Sequence, residues 1–238
     1  MRKKAKKKYI LFLHCAYARG ENVFYLKRLR GRITVAVDGG IRFFRKNGLT
    51  PDILIGDFDS APRLPRKYLS AIEVLIYPTD KDKTDSQLAL ELALRRGASE
   101  IEICGAAGRS EIDHTIGNVM LLELVNQHNR KHGTSVAAQL ISPRWLARLV
   151  ENEKIELAGA RGDYLSIIPL SRDCRVQYTG LQYPAPKGVL RTGDSLTLRN
   201  RFIANRVKLT VSGKAMVAVI FRGNNRRSLI QKLDKSDK

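Results

Sequence analysis

Between residues 9 and 141, short apolar runs alternate with stretches of helical composition, and that alternation leaves few folds open. The candidate strands are Tyr9–His14, Ile33–Val37, Ile53–Ile55, Glu73–Tyr77, Glu100–Cys104 and Val136–Ile141, most of them enriched in β-branched residues. Candidate helices lie between them, over Glu21–Leu29, Gly40–Asn47, Thr84–Arg96 and Asp113–Asn129. The run from Ser86 to Arg96 consists largely of strong helix formers and stops at Gly97. Strand followed by helix, repeated, predicts an N-terminal Rossmann-like α/β domain, a mostly parallel sheet with flanking helices.

Past about residue 150 the pattern shortens to strands of alternating character: Lys154–Leu157, Tyr164–Pro169, Arg175–Tyr178, Ser195–Arg199, Arg206–Val211 and Ala215–Phe221. Turn signals at Gly159–Gly162, Thr179-Gly180, Pro184–Pro186 and Ser212-Gly213 separate them. This predicts a C-terminal antiparallel β-sandwich or barrel. The expected domains are therefore 9–148 and 153–222, with a boundary near 143–153 and basic tails over 1–8 and 223–238.

Of 238 residues, 43 are Lys or Arg and 23 are Asp or Glu, a formal charge of +20. Such a charge directs attention to nucleic acid or another anionic surface. Six of the cations, however, fall in the first eight residues and six more between Arg222 and Lys238, where they read as solvated tails. The basic start, followed by Tyr9–Leu13 and Ala16-Tyr17-Ala18, imitates a secretory leader, but its apolar core is short and interrupted by His14, which suits a buried first strand better. Cys15, Cys104 and Cys174 are far apart and odd in number, against a disulfide framework or structural zinc and in favour of a reducing, cytoplasmic setting. The longest apolar run, Ala215–Phe221, is far short of the roughly 20 residues that cross a bilayer. His128 and His132 have a zinc-compatible spacing, although cations at a helix end explain them as well.

The acids are placed more tellingly than the bases. Ile33–Val37 runs straight into Asp38-Gly39-Gly40, a carboxylate and two glycines at the carboxyl end of a strand, where open α/β sheets bind ligands. Asp38 could equally cap the helix that follows. Pro51 to Ser60 contains a three-residue strand that ends in Asp57 and Asp59, with Asp52 before it. Mg²⁺ is the usual partner of such a carboxylate pair beside a polyphosphate, because it keeps waters and needs only one or two protein carboxylates. Asp80, Lys81, Asp82, Thr84 and Asp85 form a loop before a helix, which suits a triphosphate as well as simple capping. Gly105 to His114 leads from a strand through small residues to Arg109, Asp113 and His114. Neither a G-x-G-x-x-G fingerprint nor a P-loop occurs, which argues against a dinucleotide or Walker-type site. Four such turns, each after a candidate strand, converge on one sheet edge and point to a Mg²⁺-dependent enzyme acting on a phosphorylated nucleotide.

Taken together, Asp38-Gly39-Gly40, Pro51–Ser60, Pro78–Asp85 and Gly105–His114 resemble, in order and spacing, the motifs of the thiamine pyrophosphokinase (thiamine diphosphokinase) family. Gly180–Tyr183 and Gly193–Asn200 match it more loosely, so the resemblance spans most of residues 9–221. It implies transfer of the pyrophosphoryl group of ATP to the hydroxyl of thiamine, giving thiamine diphosphate and AMP, by a homodimer whose β-domain completes the partner's active site. By motif position it implies Asp57, Asp59 and Asp85 as catalytic Mg²⁺ ligands; neither motif nor spacing designates a base for the hydroxyl proton, and Asp59 is our choice among the carboxylates. It implies Asp38, Gly39, Gly40, Lys81, Asp82, Thr84, Arg109, Asp113 and His114 at ATP, and Thr197, Arg199, Asn200 and Phe202 at thiamine. An aromatic ring facing a cationic thiazolium would be a favourable contact. The chain departs from the family in a Gly105–His114 turn longer by one residue and in Arg199-Asn200 where the family has Ser-Asn. Two other functions stay open: pyrophosphate transfer to another alcohol such as a 6-hydroxymethylpterin, and nucleic-acid binding.

Overall fold

The computed structural model describes residues 6–58, 64–107, 112–222 and 230–232. The chain divides into two compact units, Met1–Ile141 and Ser142–Lys238.

In the first unit, strands β1 (Lys7–Phe12), β2 (Ile33–Val37), β3 (Ile53–Gly56), β4 (Glu73–Ile76), β5 (Ala98–Cys104) and β6 (Ala137–Ile141) form a sheet ordered β6-β5-β1-β2-β3-β4. Every neighbouring pair is parallel. Helices α1 (Asn22–Leu29), α2 (Ile41–Lys46), α3 (Arg66–Leu69), α4 (Asp85–Arg95) and α5 (Ile112–His132) connect or flank the strands. The central strands are apolar on both faces, as a sheet covered by helices requires: Tyr9 to Leu13, Val35 to Val37 and Ile53 to Ile55 are all buried. Phe12 stacks on Phe43 of α2 at 4.4 Å between ring centres, with Phe44 and Tyr25 against its edge. Glu102 of β5 breaks the apolar run. It is fully buried and accepts hydrogen bonds from Arg28 (2.6 Å) and Gln139 (3.0 Å), the pairing that a carboxylate needs away from water.

The basic N-terminus is not entirely a tail. β1 begins at Lys7, whose ammonium donates to the Arg96 carbonyl (3.1 Å), and Lys8 pairs with Glu100 (2.9 Å).

The second unit is antiparallel. Strands β7 (Trp145–Ala158) and β11 (Arg206–Ile220) pair along nearly their whole length. The other edge of β11 takes β9 (Arg175–Thr179) on its first half and β8 (Tyr164–Pro169) on its second, and the short β10 (Asn200–Arg201) pairs β8. β7 begins inside 143–153, the stretch expected to hold the domain boundary, and its residues there are ladder partners of β11. Two expectations are corrected here. Ser212-Gly213, expected as a turn between two strands, is a bulge within one: the register shifts between Val211 and Lys214, Gly213 adopts φ +85, and its N–H donates to Asn152. Ser195–Arg199, expected as a strand, lies in turns fixed by Arg191 N–H to Asp194 and Leu198 N–H to the Ser195 carbonyl. Within the expected C-terminal tail, β12 (Ile230–Lys232) pairs with β7.

Candidate active site

The strand order places the site. Successive strands run outward from β1 to β4, then the chain returns to lay β5 on the other side of β1, so the order reverses between β1 and β5. In open α/β sheets the crevice outside the carboxyl ends at such a reversal is the ligand position. Register fixes who stands there. Phe12 is aligned with Ala36, so His14 and Asp38, each two residues on, sit side by side; Val37 is aligned with Ile55, which brings Asp38 level with Gly56 and next to Asp57. His14 Nδ1 lies 3.9 Å from Asp38 Oδ2.

Two residues at this edge adopt left-handed backbone that side chains rarely occupy, Asp38 (φ 44) and Phe58 (φ 63). Such strain concentrates at functional sites. The glycines between them answer to packing more than to a ligand. A Cβ on Gly40 would stand 1.9 Å from the Phe12 carbonyl oxygen, and one on Gly39 would meet the His14 ring at 2.6 Å. Both glycines are buried, and Asp38-Gly39-Gly40 lets the chain pass against the end of β1.

α4 packs across β1, β2, β3 and β5, and this brings its N-terminus to the same edge. Thr84 is its N-cap, with its side chain accepting from Gln87 N–H at 3.3 Å, and Asp85 opens the first turn. Lys81, just before the helix, joins the carboxylates: its ammonium lies 3.3 Å from Asp57 Oδ2 and 3.1 Å from Asp85 Oδ1. Burial opposes the charge on Lys81, but hydrogen bonds to Asp85 and Asp57 outweigh it and hold the amine above its ordinary range. Burial raises the Asp85 carboxyl, and the charges of Asp57 and Asp38 add to that, against the lowering by Lys81.

The structure thus brings Asp38, Asp57, Lys81, Thr84 and Asp85 together. Asp82 is exposed on the same loop, and Asp113 and His114 are exposed in the first turn of α5, where Asp113 accepts from His114 N–H at 2.8 Å. Asp59 and Arg109 lie outside the described residues. Asp52 plays another part. Its Oδ2 accepts from both the N–H and the hydroxyl of Thr34 at 2.7 Å, tying β2 to the entry of β3, so it is not one of the acids awaiting a cation. His14 is the residue that sequence reasoning missed; a polar residue directly after a central apolar strand, in the position Asp38 occupies after β2, was the available signal.

Among the described residues, no group of three or more His, Cys, Asp or Glu is arranged to hold a metal ion by itself. Two hard oxygen donors meeting on one ammonium nevertheless fit Mg²⁺, which takes one or two carboxylates and completes its shell with phosphate oxygens and water.

In the second unit, Thr197 is buried with its hydroxyl donating to the Ile167 carbonyl (2.5 Å). Asn200 is buried too: its amide donates to the Tyr183 carbonyl (3.0 Å) and the Tyr178 hydroxyl (3.2 Å) and accepts from Tyr183 N–H (3.0 Å). Phe202 is 0% exposed, its ring against Gly159. It does not present a face to a ligand in this unit, which corrects the expected aromatic contact. Arg199 is exposed, at φ 55, with its guanidinium over the Tyr164 ring at 4.5 Å.

Comparison with known proteins agrees with both halves. The family model described as "Thiamin pyrophosphokinase, catalytic domain" matches residues 29–132, and that described as "Thiamin pyrophosphokinase, vitamin B1 binding domain" matches residues 152–215. A thiamine pyrophosphokinase of Bacillus subtilis is 28% identical over 176 residues, 72% of this chain and 79% of that protein. The crystal structure of a Bacillus subtilis thiamine pyrophosphokinase is similar at a TM-score of 0.77 and 24% identity, covering 91% of this chain and 100% of that one. The thiamin pyrophosphokinase of Candida albicans shares the fold at a TM-score of 0.73 and 14% identity, over 91% and 89% of the two chains. With both family domains matched in order, and the carboxylates of the first collected at one sheet edge, the chain belongs to the thiamine pyrophosphokinase family.

Proposed function

We propose that the protein is a thiamine diphosphokinase, which transfers the pyrophosphoryl group of ATP to the hydroxyl of thiamine and releases thiamine diphosphate and AMP. The observation that carries this reading is the meeting of Asp57 and Asp85 on Lys81, beside Asp38, at the carboxyl edge of the sheet. Asp57, Asp59 and Asp85 would hold Mg²⁺, which supplies charge neutralisation on the triphosphate. Lys81, which pairs with Asp57 and Asp85, would face phosphate oxygens together with the free N–H groups of α4 and with Arg109. Asp38 supports the cluster, Gly39 and Gly40 hold it against β1, and Asp82, Thr84, Asp113 and His114 border the nucleotide.

The reaction forms a bond from the thiamine hydroxyl oxygen to the β-phosphorus of ATP and breaks the bond from that phosphorus to the α,β-bridging oxygen. The electron pair leaves on AMP, and the hydroxyl proton passes to a base, for which Asp59 is our candidate. Holding nucleophile and leaving group in line, and offsetting the charge on the departing oxygen, accounts for most of the acceleration in such transfers. The thiamine side is assigned to the 197–202 segment, with Arg199 at the surface and Thr197, Asn200 and Phe202 shaping the turn beneath it. We further propose a cytoplasmic homodimer in which this segment completes the partner's site.

The test is AMP release from ATP and Mg²⁺ with thiamine or 6-hydroxymethyl-dihydropterin as acceptor. AMP formed with thiamine alone is expected; AMP formed only with the pterin would replace the acceptor. Asp57→Asn should lose activity by about 10²-fold or more while keeping its circular dichroism, since it removes a charge in the reacting site and no core contact.

A further inference from the structure

We propose that Arg199, Arg201 and Arg222, gathered around Tyr164 on one face of β8, form an oxyanion site for a phosphate or diphosphate group. The register builds the cluster. Arg201 is the direct cross-strand partner of Tyr164, and Ile220 is its partner on the other side. Arg199 and Arg222 stand just outside the strands, two residues from Arg201 and Ile220, the two partners of Tyr164. The contacts agree: the guanidinium carbons of Arg199 and Arg222 lie 4.5 and 5.6 Å from the Tyr164 ring centre, Arg222 donates to the phenol oxygen at 3.4 Å, and Arg201 stands opposite Tyr164 on β10.

What the cluster brings together is three guanidinium groups around one ring, with no counter-charge among the described residues. Arg28, Arg32, Arg96, Arg148 and Arg206 each face a glutamate. Among the described residues none of the cluster's three is in an ion pair. Asp163, next to Tyr164 in the chain, is buried and already accepts from the N–H groups of Ala160 and Arg222, both at 2.9 Å. Arg199 holds its place in left-handed backbone, fixed by its N–H to the Ser166 hydroxyl at 3.0 Å. Three exposed forks with no carboxylate between them present the geometry that phosphate oxygens accept in pairs. The phenol senses the same field: the hydrogen bond from Arg201, with the charges of Arg222 and Arg201, lowers its ionisation from the ordinary value of 10.0.

The site shares Arg199 and Arg201 with the 197–202 segment proposed for thiamine, and Tyr164 supplies a readout that does not pass through catalysis. In full-length protein with EDTA, the phenolate absorbance of wild type minus Tyr164→Phe follows this one tyrosine with pH. Inorganic pyrophosphate at constant ionic strength should move its titration upward, because a bound anion cancels the arginine field. Arg201→Gln and Arg222→Gln should each raise the pyrophosphate concentration required by about tenfold or more. No shift at millimolar pyrophosphate, or a shift unchanged in both variants, overturns the proposal. Thiamine diphosphate acting at lower concentration than pyrophosphate would assign the oxyanion to the product of the kinase reaction; equal potency would assign it to free phosphate. Asp57→Asn protein, inactive if the catalytic reading holds, should keep the shift, so either reading can fail without the other.

Discussion

At the scale of single residues, the site stores charge in a way the fold alone would not choose. Asp85 is held above its ordinary value by burial first and then by Asp57 and Asp38, even with Lys81 beside it. A carboxyl whose folded value lies above its unfolded one stabilises the fold most when protonated, and that contribution is lost as pH rises from 3.8 through the raised value. At neutral pH the ionised Asp85 therefore works against folding. Asp85→Asn should leave the melting temperature unchanged or raise it, while AMP release falls by about 10²-fold or more; melting and activity on the same preparation check this. A lower melting temperature would make Asp85 a structural partner of Lys81 instead. Asp38, Asp57, Lys81 and Asp85 could be singled out in the sequence because each lies in a polar stretch after a candidate strand; that they meet follows from strand register and from the packing of α4. Phe202 was not, since an aromatic near a motif has the same letter whether it is exposed or packed on Gly159.

Elements explain why the glycines stand where they do. β1 and β2 are parallel neighbours, and the turn after β2 must cross the end of β1 at backbone contact distance. Gly40→Ala puts a methyl 1.9 Å from a carbonyl oxygen that the sheet holds in place, and should cost about 3 kcal/mol or more by urea unfolding. Gly39→Ala meets the half-exposed His14 ring, which can swing away, and should cost less. The antiparallel half was harder to read at this scale. Ser212-Gly213 carries turn residues, yet β7 runs past it as an unbroken partner, and a ladder with one extra residue keeps more hydrogen bonds than two strands ended by a turn. The polar letters of 143–153 likewise concealed a strand whose pairing depends on β11, more than fifty residues away in the chain.

At the scale of the whole molecule, the shared-site proposal makes activity a property of the dimer. Sizing in solution is expected to give twice the 26.8 kDa chain mass, and specific activity should fall on dilution below the dissociation constant. A monomer with full, concentration-independent activity would remove the shared site. The sequence by itself determined the order of strands along the first half, its parallel character and the antiparallel character of the second, because side-chain periodicity and turn chemistry are local and survive in the letters. It also carried the family's motifs. Tertiary structure alone decided that β5 returns beside β1, that Lys81 bridges Asp57 and Asp85, and that three arginines meet around Tyr164. Each of these depends on which strands neighbour one another and in what register, and neither pairing nor register is written in any one segment of the chain.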